Sequence, residues 1–301
     1  MSKTQSRDLD QFYTDPKYAN IFFNTVQKYL DLSNFDLLLE PSAGSGSFYN
    51  LMDEHRRIGL DLDPKATGIV QQDFFTWRPE INNHVFTLGN PPFGKNANLA
   101  VKFFNHAATF SDAIAFVLPR TFRKASIINR LNKNFHLIYD EDVPANSFIF
   151  DDQPYDVWCC AQIWIKRDEI RSSVPILNFS MVKEWFEIVE PELSNFSVQR
   201  VGAGAGTIRV DDRKNFSSQS NYFIKQHSPL TIDIFKTINF DTVKFNTAGN
   251  PSISASELVE LWVNASKNYG IEVDTTSSKK KKKKKKQKPT VIDNPAIFGI
   301  G

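Results

Sequence analysis

Phe35-Asp36-Leu37-Leu38-Leu39-Glu40-Pro41-Ser42-Ala43-Gly44-Ser45-Gly46-Ser47-Phe48 is the stretch that decides the fold. Its apolar run, residues 35–39, is the signal of a short buried strand. The run ends on an acid, Glu40, and passes into small residues. Phe48, Leu51 and Met52 then take up a helical spacing, so the pattern predicts strand, tight loop and helix. Glycines let the backbone approach a ligand closely, and a helix N-terminus adds partial positive charge. The loop departs from the dinucleotide fingerprint Gly-x-Gly-x-x-Gly, because Tyr49 stands where the third glycine belongs. The acid before it would repel a pyrophosphate but could pair with an ammonium group.

Working outward, residues 57–62 predict a second strand, closed by Asp61 and Asp63. Asp61 lies where a second-strand carboxylate would meet ribose hydroxyls in a Rossmann-like sheet. Residues 67–72 predict a third strand running into Asp73-Phe74, a carboxylate and ring suited to an adenine. S-Adenosylmethionine carries an ammonium, a ribose and an adenine but no phosphate, and is the expected cofactor. Residues 84–88 predict a fourth strand, leading into Asn90-Pro91-Pro92-Phe93. The prolines lack N–H groups and fix φ, and the residue before each is held extended. Asn90 therefore sits on a stiff corner, its amide and the Pro91 carbonyl able to aim at one point. Phe93 is expected to present an exposed flat ring. Glu40, Asp61, Asp73 and Asn90 thus fall at successive strand ends, the edge where open α/β sheets bind ligands.

Upstream, Thr14 or Asp15 caps a helix with Pro16 in its first turn and Tyr18, Phe22, Val26 and Tyr29 on one face. Downstream, a helix is expected over 95–110 and a strand over 113–118, ending in Pro119-Arg120. A second helix, over 121–133, carries Arg123, Lys124 and Arg130, which with Arg120 form an expected basic patch. Strands follow over 135–139 and 157–165; if they form a hairpin, the link 144–150 hangs over the ligand edge. Beyond Arg167 the periodicity weakens. A helix is expected over 181–189. The glycine-rich residues 200–207 read as a tight turn, since no helix or lysine follows as in a phosphate loop. Helices open at Ser228-Pro229 and at the capping box Ser254-x-x-Glu257, the latter running to Gly270.

The 301 residues, 41% of them hydrophobic, suffice for one full domain and a smaller one. No apolar run approaches the roughly 18 residues of a membrane helix, and Met1–Asp10 has no secretory core. Cys159 and Cys160 are adjacent in an apolar run and read as core thiols of a reducing compartment. The histidines show no ligand spacing, and no metal is expected. Lys279–Lys286 and Lys288 supply nine positive charges, so the formal +2 of the chain leaves the remainder at −7. The expected tail is solvated, with phosphate binding or a nuclear address as its functional readings.

Taken together, these residues resemble the N6-adenine DNA methyltransferases. Glu40–Phe48 is similar to the family's motif I, Gly59-x-Asp61-x-Asp63-Pro64 to motif II, Asp73-Phe74 to motif III and Asn90–Phe93 to motif IV. Thr14 stands where motif X contributes a cofactor contact, and the order is like the γ arrangement. Phe93 replaces the commoner tyrosine. The resemblance covers roughly residues 11–165. It implies a Rossmann-like class I methyltransferase fold: a mostly parallel seven-stranded sheet with helices on both faces, and a small C-terminal segment. Residues 8–167 would form the catalytic domain, 168–274 the recognition segment and 275–301 a disordered lysine-rich tail. It implies S-adenosylmethionine held by Thr14, Glu40, Ala43, Gly44, Gly46, Asp61, Asp73 and Phe74. Catalysis would fall to Asn90, Pro91, Pro92 and Phe93, with Phe148 and Arg120 as substrate contacts. DNA is the expected partner ahead of an RNA base or a protein glutamine, and a non-catalytic nucleic-acid-binding relative is the alternative of another class. A nuclease partner is left open. The expected location is cytoplasmic, or nuclear in a eukaryotic host.

Overall fold

The computed structural model describes residues 12–80 and 84–275. In chain order its first strands are β1 (Tyr13–Thr14), β2 (Leu37–Glu40), β3 (Arg57–Asp61), β4 (Val70–Gln71) and β5 (Val85–Gly89). They continue with β6 (Ser111–Pro119), β7 (Phe135–Asp142), β8 (Phe148–Phe150), β9 (Gln153–Tyr155) and β10 (Cys159–Lys166). Seven of them form one sheet in the order β4-β3-β2-β5-β6-β10-β7. The five strands from β4 to β6 run parallel, and β10 runs antiparallel between β6 and β7. This is a mostly parallel, Rossmann-like sheet.

Both faces of the sheet are buried, which explains why its strands read as unbroken apolar runs. Leu37, Leu39, Ile114, Phe116 and Leu118 face one side, where the helix Asn98–Ala107 packs Val101 and Phe104 on them. Leu38, Ala113, Ala115 and Val117 face the other, against Phe22 and Val26 of the helix Pro16–Tyr29. That helix starts as expected, with Pro16 in its first turn and the Asp15 carboxylate accepting the Lys17 N–H at 2.8 Å.

Three expected helices change. After the loop 41–47 there is only a 3₁₀ turn, Tyr49–Leu51. Serine, glycine, asparagine and aspartate around it favour turns over helix, and the Tyr49 N–H is taken by Glu40 at 2.6 Å. No α-helix N-terminus lends charge to the loop. The span 121–133 holds a single helical turn, Ala125–Ile128. The Arg171 guanidinium takes the Ile128 and Leu131 carbonyls, and Asn105 takes the Asn132 N–H, so the helix has no way on. The span 181–189 is a 3₁₀ turn, Phe179–Met181, followed by a strand, β11 (Phe186–Ile188). The helix expected over 95–110 begins at Asn98, because Asn96 and Ala97 have left-handed φ of 56° and 58°.

β7 and β10 pair antiparallel, and the link between them folds back as β8 and β9. β8 pairs with β1, setting Thr14 opposite Phe148. A second sheet, order β11-β14-β12-β13, is antiparallel and includes β12 (Phe196–Gln199), β13 (Ile208–Arg209) and β14 (Asn221–Gln226). Its core gathers Phe186, Phe196, Ile224, Phe235 and Trp262. Gly202–Gly206 is the tight turn joining β12 to β13, with the Ala205 N–H on the Gly202 carbonyl at 2.9 Å. The capping box forms, with Ser254 and Glu257 opening the helix Ala255–Ser266. Among the described residues no helix is long and apolar enough to cross a membrane. The lysine run and its expected disorder lie outside the described residues.

Candidate active site

The C-terminal ends of β2, β3 and β5, with the turn after β4, surround a pocket of about 440 Å³. Thr14, Glu40, Ala43, Gly44, Asp61, Asp73 and Phe74 all line it, together with Asn90 and Pro92. Gly46 lies just behind: its N–H closes the loop on the Ala43 carbonyl at 2.6 Å. A more open depression of about 520 Å³ lies over residues 27–33, before β2, and none of the expected residues reaches it.

Three carboxylates on this edge brace the backbone, while Asp63 pairs with Lys65 at 2.6 Å. Glu40 is buried, and one of its oxygens accepts the Tyr49 N–H at 2.6 Å. Burial pushes its carboxyl well above the usual carboxylate range; the Tyr49 N–H opposes the rise and the Asp61 charge adds to it. Asp61 accepts the Gly44 N–H on one oxygen and the Asp63 N–H on the other, both at 2.8 Å. Asp73 accepts the Phe75 N–H at 2.9 Å. A carboxylate oxygen can accept more than one bond, so these groups keep capacity for a ligand. Gly44 has φ +47°, and a Cβ there would stand 2.7 Å from a Tyr13 ring carbon. Phe74 is buried with its ring 5.1 Å from that of Phe103, forming an apolar floor.

Asn90 is placed differently. Its Nδ2 donates to the Phe12 carbonyl at 3.0 Å, and its own carbonyl accepts the Ser42 hydroxyl at 3.1 Å. Its Oδ1 is buried and without a partner. Thr14 also carries a buried, unpartnered Oγ1, while its carbonyl accepts the Ser47 hydroxyl at 2.7 Å.

Phe93 does not present an exposed ring. It is 8% exposed and packs in the core, and its carbonyl accepts the Leu99 and Ala100 N–H groups at the start of the next helix. Phe148 is 1% exposed and lies in the same core. Neither lines the pocket.

Three of the four cations in the expected basic patch are held in ion pairs. Arg120 pairs with Asp142 at 3.0 Å, Arg123 with Asp140 and Asp142, and Lys124 with Glu257 at 2.9 Å. Arg130 donates to the Asn98 side chain at 2.7 Å. These acids come from distant strands and helices, so spacing along the chain did not show them. Sequence reasoning also missed Phe12, Tyr13, Ser42, Phe75 and Phe103, which line the pocket. Phe12 and Tyr13 stand beside Thr14, and that adjacency was the available signal.

No protein-family model matches the chain, and no curated protein sequence matches it. Among solved structures it is similar to a Pyrococcus horikoshii protein described as a candidate RNA methyltransferase, at 14% identity and TM-score 0.42, over 52% of this chain and 87% of that one. A candidate class I S-adenosylmethionine-dependent methyltransferase of Listeria monocytogenes matches at 13% identity and TM-score 0.40, over 54% of this chain and 63% of that one. The 23S rRNA methyltransferase ErmE matches at 14% identity and TM-score 0.38, over 57% and 74% of the two chains.

Proposed function

We propose that the chain transfers a methyl group from S-adenosylmethionine to the exocyclic amino group of a nucleobase, N6 of adenine in DNA. The observation that carries this reading is the unpartnered Asn90 Oδ1, buried at the pocket's edge with its amide orientation fixed by Phe12. A buried acceptor left without a donor costs free energy unless a ligand supplies one.

The pocket fits the cofactor. Phe74 and Phe103 offer a flat apolar floor for an adenine, and Asp61 offers acceptors for ribose hydroxyls. Glu40, whose burial disfavours its charge, suits an ammonium that restores it. Among the described residues no Lys or Arg lines the pocket to receive phosphate. When bound, S-adenosylmethionine supplies an electrophilic methyl group and leaves as a neutral thioether.

The chain's own residues have a different task. The N6 lone pair of adenine is conjugated into its ring and is a poor nucleophile. Asn90 Oδ1 and the Pro91 carbonyl each accept one amino hydrogen, which favours a tetrahedral nitrogen and stabilises the positive charge that builds there. The surplus proton leaves the methylated nitrogen for water. In a duplex the base must first be flipped out, at a cost of a few kcal/mol. With Arg120, Arg123 and Lys124 engaged in ion pairs, phosphate contacts fall to other cations, and recognition is assigned to residues 168–274.

The test is methyl transfer from labelled cofactor to DNA, RNA and protein side by side, followed by nucleoside analysis. N6-methyladenine in DNA is the expected product. Label in RNA or on a protein glutamine would move the substrate and keep the chemistry. Label in none, with cofactor bound, would leave a non-catalytic binder.

A further inference from the structure

The mechanism leaves one aromatic cluster unused. Phe12, Phe150 and Tyr155 meet on the small sheet β1-β8-β9 beside the pocket. The Phe12 and Tyr155 rings are stacked, 4.9 Å apart and 7° from parallel. Phe150 leans on both, at 5.6 Å from each. Phe12 is far in sequence from the other two, and the three are joined by pairing of Tyr13 with Ile149 and of Phe148 with Tyr155. A two-residue turn, Asp151 and Asp152 with φ of 50° and 58°, closes the hairpin; positive φ at both positions marks the tight hairpin turn.

Phe12 is also the residue whose carbonyl holds the Asn90 amide. An Asn side chain rotates freely unless something fixes it, and here that bond decides which way Oδ1 points. We infer that Tyr155 is a positioning residue for Asn90: its ring fixes Phe12, and the Phe12 carbonyl fixes the amide. Tyr155 is 41% exposed, so the stack closes the site from the solvent side and is not part of the sheet's core. It does not line the pocket. Its effect runs entirely through the placement of the Phe12 backbone.

The inference rests on the assignment of Asn90 to the amine, and its test separates the two. Methyl transfer is measured with the full chain, saturating cofactor and the nucleic acid that the wild type methylates. Tyr155→Ala is expected to lower kcat about ten- to a hundredfold, the scale of a small misplacement in a reacting site. In Tyr155→Ala KM and cofactor affinity should hold, because Tyr155 does not line the pocket. Tyr155→Phe keeps the stack and should restore kcat. Phe12→Leu breaks the stack from the other side, keeps the carbonyl, and should show the same loss in kcat, with any change in cofactor affinity reporting its own place in the pocket wall; it carries the test if Tyr155→Ala fails to fold. A kcat equal to wild type in Tyr155→Ala and Phe12→Leu would overturn the inference. So would a loss lying wholly in KM, which would make Tyr155 a substrate contact. A wild-type protein that binds cofactor but methylates nothing would instead overturn the proposed function.

Discussion

The two halves of the ligand edge are built on opposite terms. Along β2, β3 and the turn after β4, three acids spend lone pairs on backbone N–H groups: Glu40 on Tyr49, Asp61 on Gly44 and Asp63, Asp73 on Phe75. Along β1 and β5 the side chains offer acceptors that nothing fills, Asn90 Oδ1 and Thr14 Oγ1. One half is braced before any ligand arrives. The other holds oriented, unsatisfied groups, which are affordable only if a ligand completes them. Substitutions in the braced half should therefore damage stability and cofactor binding together. Substitutions in the unfilled half should damage ligand-dependent steps and leave stability alone or improve it.

The largest effect is expected at Asn90. Asn90→Ala removes the acceptor and should cut turnover on the order of a hundred- to a thousandfold, as loss of one preorganised group does in other sites. Cofactor affinity and the thermal midpoint should stay near wild type, because the only bond lost inside the protein is that to the Phe12 carbonyl. Turnover close to wild type would end Asn90's role. A fall in the midpoint as large as that of a core substitution would erase the contrast between the halves.

That contrast was partly legible in the residues. The central strands were readable because they are buried on both faces and so form unbroken apolar runs, as Leu37–Leu39 and Ala113–Leu118 do. Glu40, Asp61, Asp73 and Asn90 could be set at strand ends for the same reason. The bracing was not legible, since it depends on where the carboxylates point. Phe93 looked like an exposed ring, but its carbonyl caps the helix at Asn98 and the ring follows inward. The strap formed by Phe12 and Tyr13 depends on β1 meeting β8, a pairing of residues more than a hundred positions apart. Beyond Arg167 the strands are short and belong to an antiparallel sheet, so β11 was taken for a helix.

Asp61 tests the braced half. Its carboxylate accepts two backbone N–H groups, and Asn would place a donor against one of them. Asp61→Asn should cost roughly 1.5–3 kcal/mol, the scale of one hydrogen bond to a charged acceptor. The loop 41–47 would loosen at Gly44, so cofactor affinity should fall in the same variant. Calorimetry and a melt on one preparation measure both. Weaker binding with an unchanged melt would mean that Asp61 serves the ligand alone, and the two halves would then be alike.

The smallest effect is the most diagnostic. Thr14 is 5% exposed, and its hydroxyl has no partner among the described residues. Valine has nearly the same shape and replaces that hydroxyl with a methyl. Burying an unpaired hydroxyl costs about 1–3 kcal/mol on mutational scales, so Thr14→Val should leave the cofactor-free protein as stable or raise its stability by up to about 1 kcal/mol. If Thr14 Oγ1 is kept for the cofactor, the same variant should bind S-adenosylmethionine more weakly, by about the net value of one neutral hydrogen bond, ~1 kcal/mol. Stability and affinity would then move in opposite directions, the reverse of Asp61→Asn. A variant with unchanged stability and unchanged affinity would show that the hydroxyl finds water in both states. A variant that loses stability would show an internal partner for Oγ1, and the unfilled half would then reduce to Asn90.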